Sequence, residues 1–299
     1  VDNFLNLFKK KKKQQQTVYD VKTAPLTEEQ LRAVSAGAGI PTTPQLIVGV
    51  GQSIGMQRDH NEDTIYVQAS QLGGDTKDLI FGLFIMADGM GGYQHGEVAS
   101  SVAANAMAYY ILKKIFMPMM SLKNDQPSDP LQEIMQLAVN EAQMAVTKSA
   151  PGGGTTLTAA FILGDQVTLA HVGDSRAYFI YPDGRVQPIT RDHSLVRRLQ
   201  ELGQINEKEA AEHPQRNVLY RALGQSEPFE PDISTYPFPN AGYLMLCSDG
   251  LWGVVPEADF FPLIQSSPTL TVACQKLIDA ANAGGGPDNI SVILVQYPM

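Results

Sequence analysis

Leu79-Ile80-Phe81-Gly82-Leu83-Phe84-Ile85-Met86 runs directly into Ala87-Asp88-Gly89-Met90-Gly91-Gly92. The first eight residues are almost wholly apolar and far too few to span a bilayer. They read as a strand buried on both faces, ending at Met86. Asp88 then stands in a turn beyond the strand. A carboxylate at the edge of a core is costly alone and satisfied beside a cation. Gly89, Gly91 and Gly92 free the backbone for positive φ and clear side chains from the approach to whatever binds.

Further strands are expected at 45–51, 64–68, 157–163, 166–172, 176–181, 242–247 and 289–296. Residues 98–115 and 131–147 repeat apolar side chains at helical spacing, which predicts an antiparallel helix pair over a sheet. Residues 270–283 predict another helix, and 192–214 a polar helical stretch. Gly164-Asp165, Gly173-Asp174-Ser175 and Pro182-Asp183-Gly184 separate successive strands and predict hairpins, hence a meander. Strands in runs, with helices paired between them, indicate an α+β fold of antiparallel sheets covered by helices rather than a βαβ parallel sheet.

With 43% hydrophobic residues the 299-residue chain can bury a sizeable core. Its net charge of −9 is unevenly placed. Residues 1–22 hold six lysines and two aspartates, or +4, which leaves 16 basic against 29 acidic residues, or −13, in the rest. A body that acidic excludes a general nucleic-acid binder. Cys247 and Cys274 are too few for a disulfide framework or a zinc site, and they fit a reduced cytoplasm. Residues 1–44 read as a flexible tail or linker, with a short helix at 28–34. Within it, Phe4, Leu5, Leu7 and Phe8 precede five lysines at 9–13, a pattern suited to weak contact with an anionic membrane surface. The folded domain is expected over 45–299.

Asp88 and Asp249 follow strands, while Asp288 precedes the last one. In antiparallel pairing the end of one strand lies beside the start of its neighbour, so all three can share one sheet edge, with Glu62 and Asp63 joining them. Clustered carboxylates repel unless a cation binds between them, and hard oxygen donors suit Mg²⁺ or Mn²⁺. His171, inside an apolar strand, reads as a core histidine with its hydrogen bonds met. Thr155 and Thr156 read as shaping a strand entrance.

Six stretches in order carry a specific resemblance: Arg58-Asp-His-Asn-Glu-Asp63, Asp88-Gly-Met-Gly-Gly92 with Gly96-Glu97, Gly154-Thr-Thr156, Gly173-Asp-Ser-Arg176, Ser248-Asp-Gly-Leu251 and Gly286-Pro-Asp-Asn289. Across roughly residues 48–297 the chain resembles the metal-dependent Ser/Thr protein phosphatases of type 2C (the PPM family) in their bacterial form. The resemblance implies a four-layer α/β/β/α sandwich, with two packed antiparallel sheets flanked by antiparallel helix pairs. It implies two or three Mn²⁺ or Mg²⁺ ions, with Asp88 bridging two of them, the Gly89 carbonyl on one, and Asp249 and Asp288 completing the other. Glu62 and Asp63 would act through metal-bound waters, and Asp174 would serve a third ion. Arg58 would grip the substrate phosphate, and a water between two ions would attack phosphorus in line.

The resemblance further implies a flap over about 190–224, phosphorylated Ser/Thr proteins as substrates, a cognate kinase, a monomer and a cytoplasmic setting. The chain departs from the wider family at Met90, Tyr93 and Gly253. Met90 cannot donate a proton, which leaves His60 and water as candidates to protonate the leaving group. Two competing readings are a non-enzymatic phosphoprotein-binding member of the fold and a two-metal hydrolase of another phosphoester.

Overall fold

A computed structural model of the protein describes residues 45–72, 79–91, 95–120, 129–225 and 229–297. The expected tail at 1–44, the short helix within it and Tyr93 lie outside those residues. Among the described residues no helix is long and apolar enough to cross a membrane.

Two antiparallel sheets make the middle of the molecule. One orders β1 (Ile47–Ser53), β11 (Ile290–Gln296), β10 (Tyr243–Cys247), β7 (Arg176–Ile180) and β8 (Val186–Pro188). The other orders β2 (Asp63–Leu72), β3 (Leu79–Met90), β5 (Leu157–Leu163), β6 (Gln166–Val172) and β9 (Asp232–Pro237), with the two-residue β4 (Gly154–Thr155) paired to the end of β3.

The apolar run of β3 is explained by its two faces. Leu83, Ile85 and Ala87 pack with Met107 of α1 (His95–Ile111) and with Met135 and Val139 of α2 (Leu131–Ser149). Phe84 and Met86 pack between the sheets with Leu244, Leu246, Ile293 and Val295. Met245, Cys247, Val292 and Leu294 face the opposite way, toward Phe260 of α6 (Glu257–Gln265) and Cys274 and Leu277 of α7 (Leu270–Ala283). The layers are therefore helix pair, sheet, sheet, helix pair. Both cysteines are buried and free.

Three details differ from the expectation. First, β3 does not stop at Met86 but continues through Asp88 to Met90, because Gly89 and Met90 pair with Thr155 and Gly154. Asp88 thus sits on a strand and not in a turn. Second, Gly173-Asp174-Ser175 is not a hairpin. β6 and β7 lie in different sheets, and Gly173, at φ 108°, starts the crossing between them. Third, the helix expected at 98–115 starts at His95 and widens into a π turn at Leu112–Phe116 before a last turn at Met117–Met119. Pro118 has no N–H for the Lys114 carbonyl, which accounts for the wider winding. The stretch 192–214 divides into α3 (Leu195–Glu201), capped by Ser194, and α4 (Glu207–Ala211), closed by an Asn206/Glu209 capping box.

Candidate metal and phosphate site

The alternation that buries Phe84 and Met86 between the sheets turns Asp88 toward the same side. Asp63, the first residue of β2, is paired in register with Asp88. Across the interface, β10 ends at Cys247 and leads into Asp249, the first residue of the short helix α5 (Asp249–Trp252), while Asp288 leads into β11. The carboxylates therefore gather at one end of the sandwich, contributed by both sheets, and not along one sheet edge. The packing of the sheets brings them within reach of each other, so that the charges of Asp63, Asp249, Asp174 and Asp288 all act on Asp88.

The electrostatics are those of an acidic cluster in a recess. Burial pushes Asp63 up to about 7 against the pull of the Ser291 and Ser248 hydroxyls, and the charges of Asp249 and Asp288 add to the rise. Burial and the Asp288 charge push Asp249 up to about 6. Burial, then Asp63, Asp249 and Asp174, holds Asp88 well above the carboxylate range. Asp174, at the crossing between the sheets, is raised by burial and by Asp249 and Asp192. Neighbouring like charges and desolvation act together here.

Supporting groups hold this arrangement. The Asp88 amide donates to Thr156 Oγ1 at 2.9 Å, and its carbonyl accepts from Thr155 Oγ1 and the Thr156 amide, each at 2.9 Å. The Ser248 hydroxyl donates to Asp63 Oδ2 at 2.9 Å. Asn289 staples the loop before β2: its amide donates to the Ile54 and His60 carbonyls at 2.9 Å, and its Oδ1 accepts from the Glu62 amide at 2.8 Å. Arg58 on that loop places Nη2 2.6 Å from Asp288 Oδ2 with half its side chain exposed. His60 lies between Asp59 at 2.6 Å and Glu62 at 3.3 Å, and those hydrogen bonds raise its pKa.

Several observations bear on whether a cation fits. Asp63 Oδ1 is buried with no hydrogen-bond partner. A Cβ on Gly89 would lie 2.3 Å from the Gly96 carbonyl oxygen and 2.6 Å from that of Glu62, so only glycine brings the backbone in here. Among the described residues no three His, Cys, Asp or Glu side chains close on one ion position by themselves. Small hard cations bind through one or two carboxylates and keep several waters, so two carboxylates with a main-chain carbonyl are a sufficient protein share. The donors are all oxygen and mutually repelling, and they fit Mn²⁺ or Mg²⁺.

Sequence reasoning had named Glu62, Asp63, Asp88, Gly89, Asp174, Asp249 and Asp288, and the structure brings them to one end of the molecule with Arg58 on the rim. Thr155 and Thr156, expected only to shape a strand entrance, hold the Asp88 backbone, and Ser248 and Asn289 take holding roles for which no expectation stood. Their only signal was that each adjoins one of the aspartate motifs.

A profile of the family Protein phosphatase 2C matches residues 57–276. A serine/threonine phosphatase stp of Listeria innocua is 37% identical over 248 residues, covering 81% of this chain and 92% of that protein. The crystal structure of the Mycobacterium tuberculosis serine/threonine phosphatase PstP/Ppp superposes with a TM-score of 0.70 at 31% identity, covering 85% of this chain and 100% of that one. A structure of the PstP catalytic domain in complex with two manganese ions gives a TM-score of 0.69 at 30% identity, covering 86% of this chain and all of that one.

Proposed function

The chain belongs to the protein phosphatase 2C family, and from that premise we propose how its residues carry out metal-dependent dephosphorylation of phosphoserine and phosphothreonine in proteins. The observation that carries this reading is the convergence of Asp63, Asp88 and Asp249, recessed and raised in pKa, from two sheets onto one point. Divalent cations of the Mn²⁺ or Mg²⁺ kind, bound there, supply water acidified enough to act as nucleophile and neutralise charge on the phosphoryl group.

The protein's own share is placement. Asp88, Asp249 and Asp288 offer direct ligands, joined by the Gly89 carbonyl, and Glu62 and Asp63 hold waters behind them. Asp174 serves a further ion. The Thr155 and Thr156 bonds fix the Asp88 backbone. Arg58 presents a planar fork to phosphate oxygens at the rim, a geometry that lysine does not match. Its pairing with Asp288 keeps that fork beside the ligand set. Hydrolysis of p-nitrophenyl phosphate and then of a phosphothreonine peptide, each with Mn²⁺ and with EDTA, tests the reading. Equal rates under both conditions would refute it.

The finer assignments belong to the same proposal. The catalytic domain spans 45–299, and residues 1–44 form a tail or linker. The substrates are products of a cognate Ser/Thr kinase, and the enzyme works as a cytoplasmic monomer. The lysines at 9–13 give the tail weak, salt-sensitive affinity for anionic membranes. Co-sedimentation with anionic liposomes, comparing the full chain with one starting at Gln45, checks the last point. Equal pelleting refutes it.

A further inference from the structure

A row of buried polar side chains crosses the apolar interior between the carboxylate site and the segment that precedes α3. The Asp88 amide donates to Thr156 Oγ1 at 2.9 Å. Thr156 Oγ1 is 2.8 Å from Ser175 Oγ. The Ser175 carbonyl accepts from Thr158 Oγ1 at 2.9 Å, and Thr158 Oγ1 is 2.9 Å from His171 Nδ1. His171 Nε2 lies 3.1 Å from the carbonyl oxygen of Arg191. Thr156, Ser175, Thr158 and His171 are each at most 2% exposed.

Folding alone does not call for this row. Thr158 and His171 face each other in the register of β5 and β6, on the inter-sheet face that also carries Met86, Ala160 and Leu169, where apolar side chains would serve the core. Buried polar groups are costly, and the hydrogen bonds they make fix the arrangement of the elements they join.

The far end of the row is the base of an excursion. Leu195 to Val218 leaves and returns through a neck in which Ser194 bridges Leu219, the Leu195 amide donates to the Val218 carbonyl, and the Tyr220 amide donates to the His193 carbonyl. Arg191, just before this neck, meets both the sheet and the excursion. Its carbonyl meets His171, and its side chain pairs with Glu201 of α3. The next two residues are anchored to the crossing around Asp174. Asp192 accepts two hydrogen bonds from Arg176, whose guanidinium stacks on Trp252, and Trp252 Nε1 donates to the Asp174 carbonyl at 3.0 Å. The His193 amide donates to the Gly173 carbonyl at 2.7 Å.

Proton accounting shows what His171 contributes. The Arg191 carbonyl can only accept, so Nε2 carries the hydrogen there. Thr158 has one hydroxyl proton, to give to either His171 Nδ1 or the Ser175 carbonyl but not both. The bond that ties the sheet to the base of the excursion is therefore the one from His171 Nε2–H to the Arg191 carbonyl.

We propose that His171 is a positioning residue: it fixes the base of the 195–218 excursion relative to the strand ends bearing Asp88 and Asp174, so that a phosphorylated peptide lying under the excursion meets the carboxylate site in register. The proposal rests on the phosphatase reading above for its effect on substrate, but not for the mechanical link.

The two ring nitrogens can be separated by substitution. In His171→Asn the amide reaches Thr158 but not Arg191. In His171→Gln it reaches Arg191. Amide hydrogen exchange over 191–202 in the metal-free protein, and KM and kcat for a phosphothreonine peptide with Mn²⁺, are measured on wild type and both variants. Loss of one hydrogen bond predicts about fivefold to tenfold faster exchange in His171→Asn. The peptide KM should rise by a similar factor, more than kcat falls, while His171→Gln stays close to wild type on both counts. If His171→Asn does not fold, His171→Ala, which meets neither partner, takes its place with the same two changes expected, and Thr158→Val, which leaves the bond to Arg191, is expected to stay close to wild type like His171→Gln. Equal behaviour of Asn and Gln, whether both are unchanged or both decline in step with Tm, overturns the proposal. Faster exchange with an unchanged KM overturns the positioning role, and unchanged exchange overturns the link. A wild type that hydrolyses no phosphopeptide overturns the phosphatase reading instead, and the exchange arm still decides whether His171 holds the excursion.

Discussion

Asp63→Asn should stabilise the metal-free protein while weakening its response to metal. Asp63 is 8% exposed, and its Oδ1 has no partner. An aspartate in the unfolded chain titrates near about 3.9, and burial holds Asp63 at about 7. Between those values the folded protein keeps a proton that the unfolded chain has lost. Stability of the metal-free protein therefore falls as pH rises through that interval, and the full penalty is present above about 7. About three pH units at 1.36 kcal/mol each put the penalty on the order of 4 kcal/mol. The amide that replaces Oδ1 has only the Ser291 hydroxyl oxygen near it as acceptor, and imperfect pairing there costs back about 1–3 kcal/mol. A net gain of about 1–3 kcal/mol corresponds to a Tm about 2–10 °C higher at pH 8 in EDTA.

With Mn²⁺ the variant's advantage should shrink. A ligand at a hundred times its Kd adds about 2.7 kcal/mol to the wild type, and the variant should gain less. Thermal melts at pH 5 and pH 8, with EDTA and with Mn²⁺, measure all of this. The metal-free wild type should lose stability from pH 5 to pH 8, and Asp63→Asn should lose less. If Asp63→Asn lowers Tm in EDTA at pH 8, or if the metal-free wild type is as stable at pH 8 as at pH 5, the carboxylate cluster is not the strained element described here.

Asp88→Ala, which removes the carboxylate facing Asp63, Asp249 and Asp174, should abolish phosphatase activity without unfolding the protein. EDTA should do the same reversibly, as read by p-nitrophenyl phosphate hydrolysis and circular dichroism. Arg58→Ala should raise KM for a phosphopeptide about tenfold to a hundredfold, the worth of a charged hydrogen bond of about 1.5–3 kcal/mol, while calorimetry still shows Mn²⁺ binding. An unchanged KM would mean that phosphate is held without it. Gly89→Ala should lose both activity and several degrees of Tm, because its Cβ meets backbone atoms of Gly96 and Glu62 that cannot move aside as a side chain would. A variant of wild-type Tm would show that β3 and α1 separate easily.

The site was legible in the sequence because its chemistry is local. An aspartate near glycines at either end of an apolar run is visible without any contact map: Asp88 and Asp249 follow such runs, and Asp288 precedes one. Four of the strands expected from their apolar patterns, at 79–86, 157–163, 166–172 and 242–247, lie within or nearly on β3, β5, β6 and β10. The elements missed have weak or interrupted patterns. β8 is three residues long, β9 is a half-exposed edge strand ending at Pro237, and the helix α6 is short and carries Pro262 inside it, so none shows enough regular apolar periodicity to be seen.

What the sequence by itself determined was most of the strands and helices, the acidic residues at their ends and the kind of ion those residues suit, because each follows from the composition and spacing of neighbours in the chain. What only the tertiary structure decided was which sheet each strand joins. Gly173-Asp174-Ser175 has the composition of a hairpin, yet Gly173 turns the chain into the opposite sheet, since β7 pairs with β10 and β8 instead of β6. That choice rests on burying Phe179 and Ala177 against the other sheet, a long-range packing energy that no local stretch encodes. It moves the carboxylates from one sheet edge to the junction of two sheets, where burial and mutual repulsion raise their pKa values together.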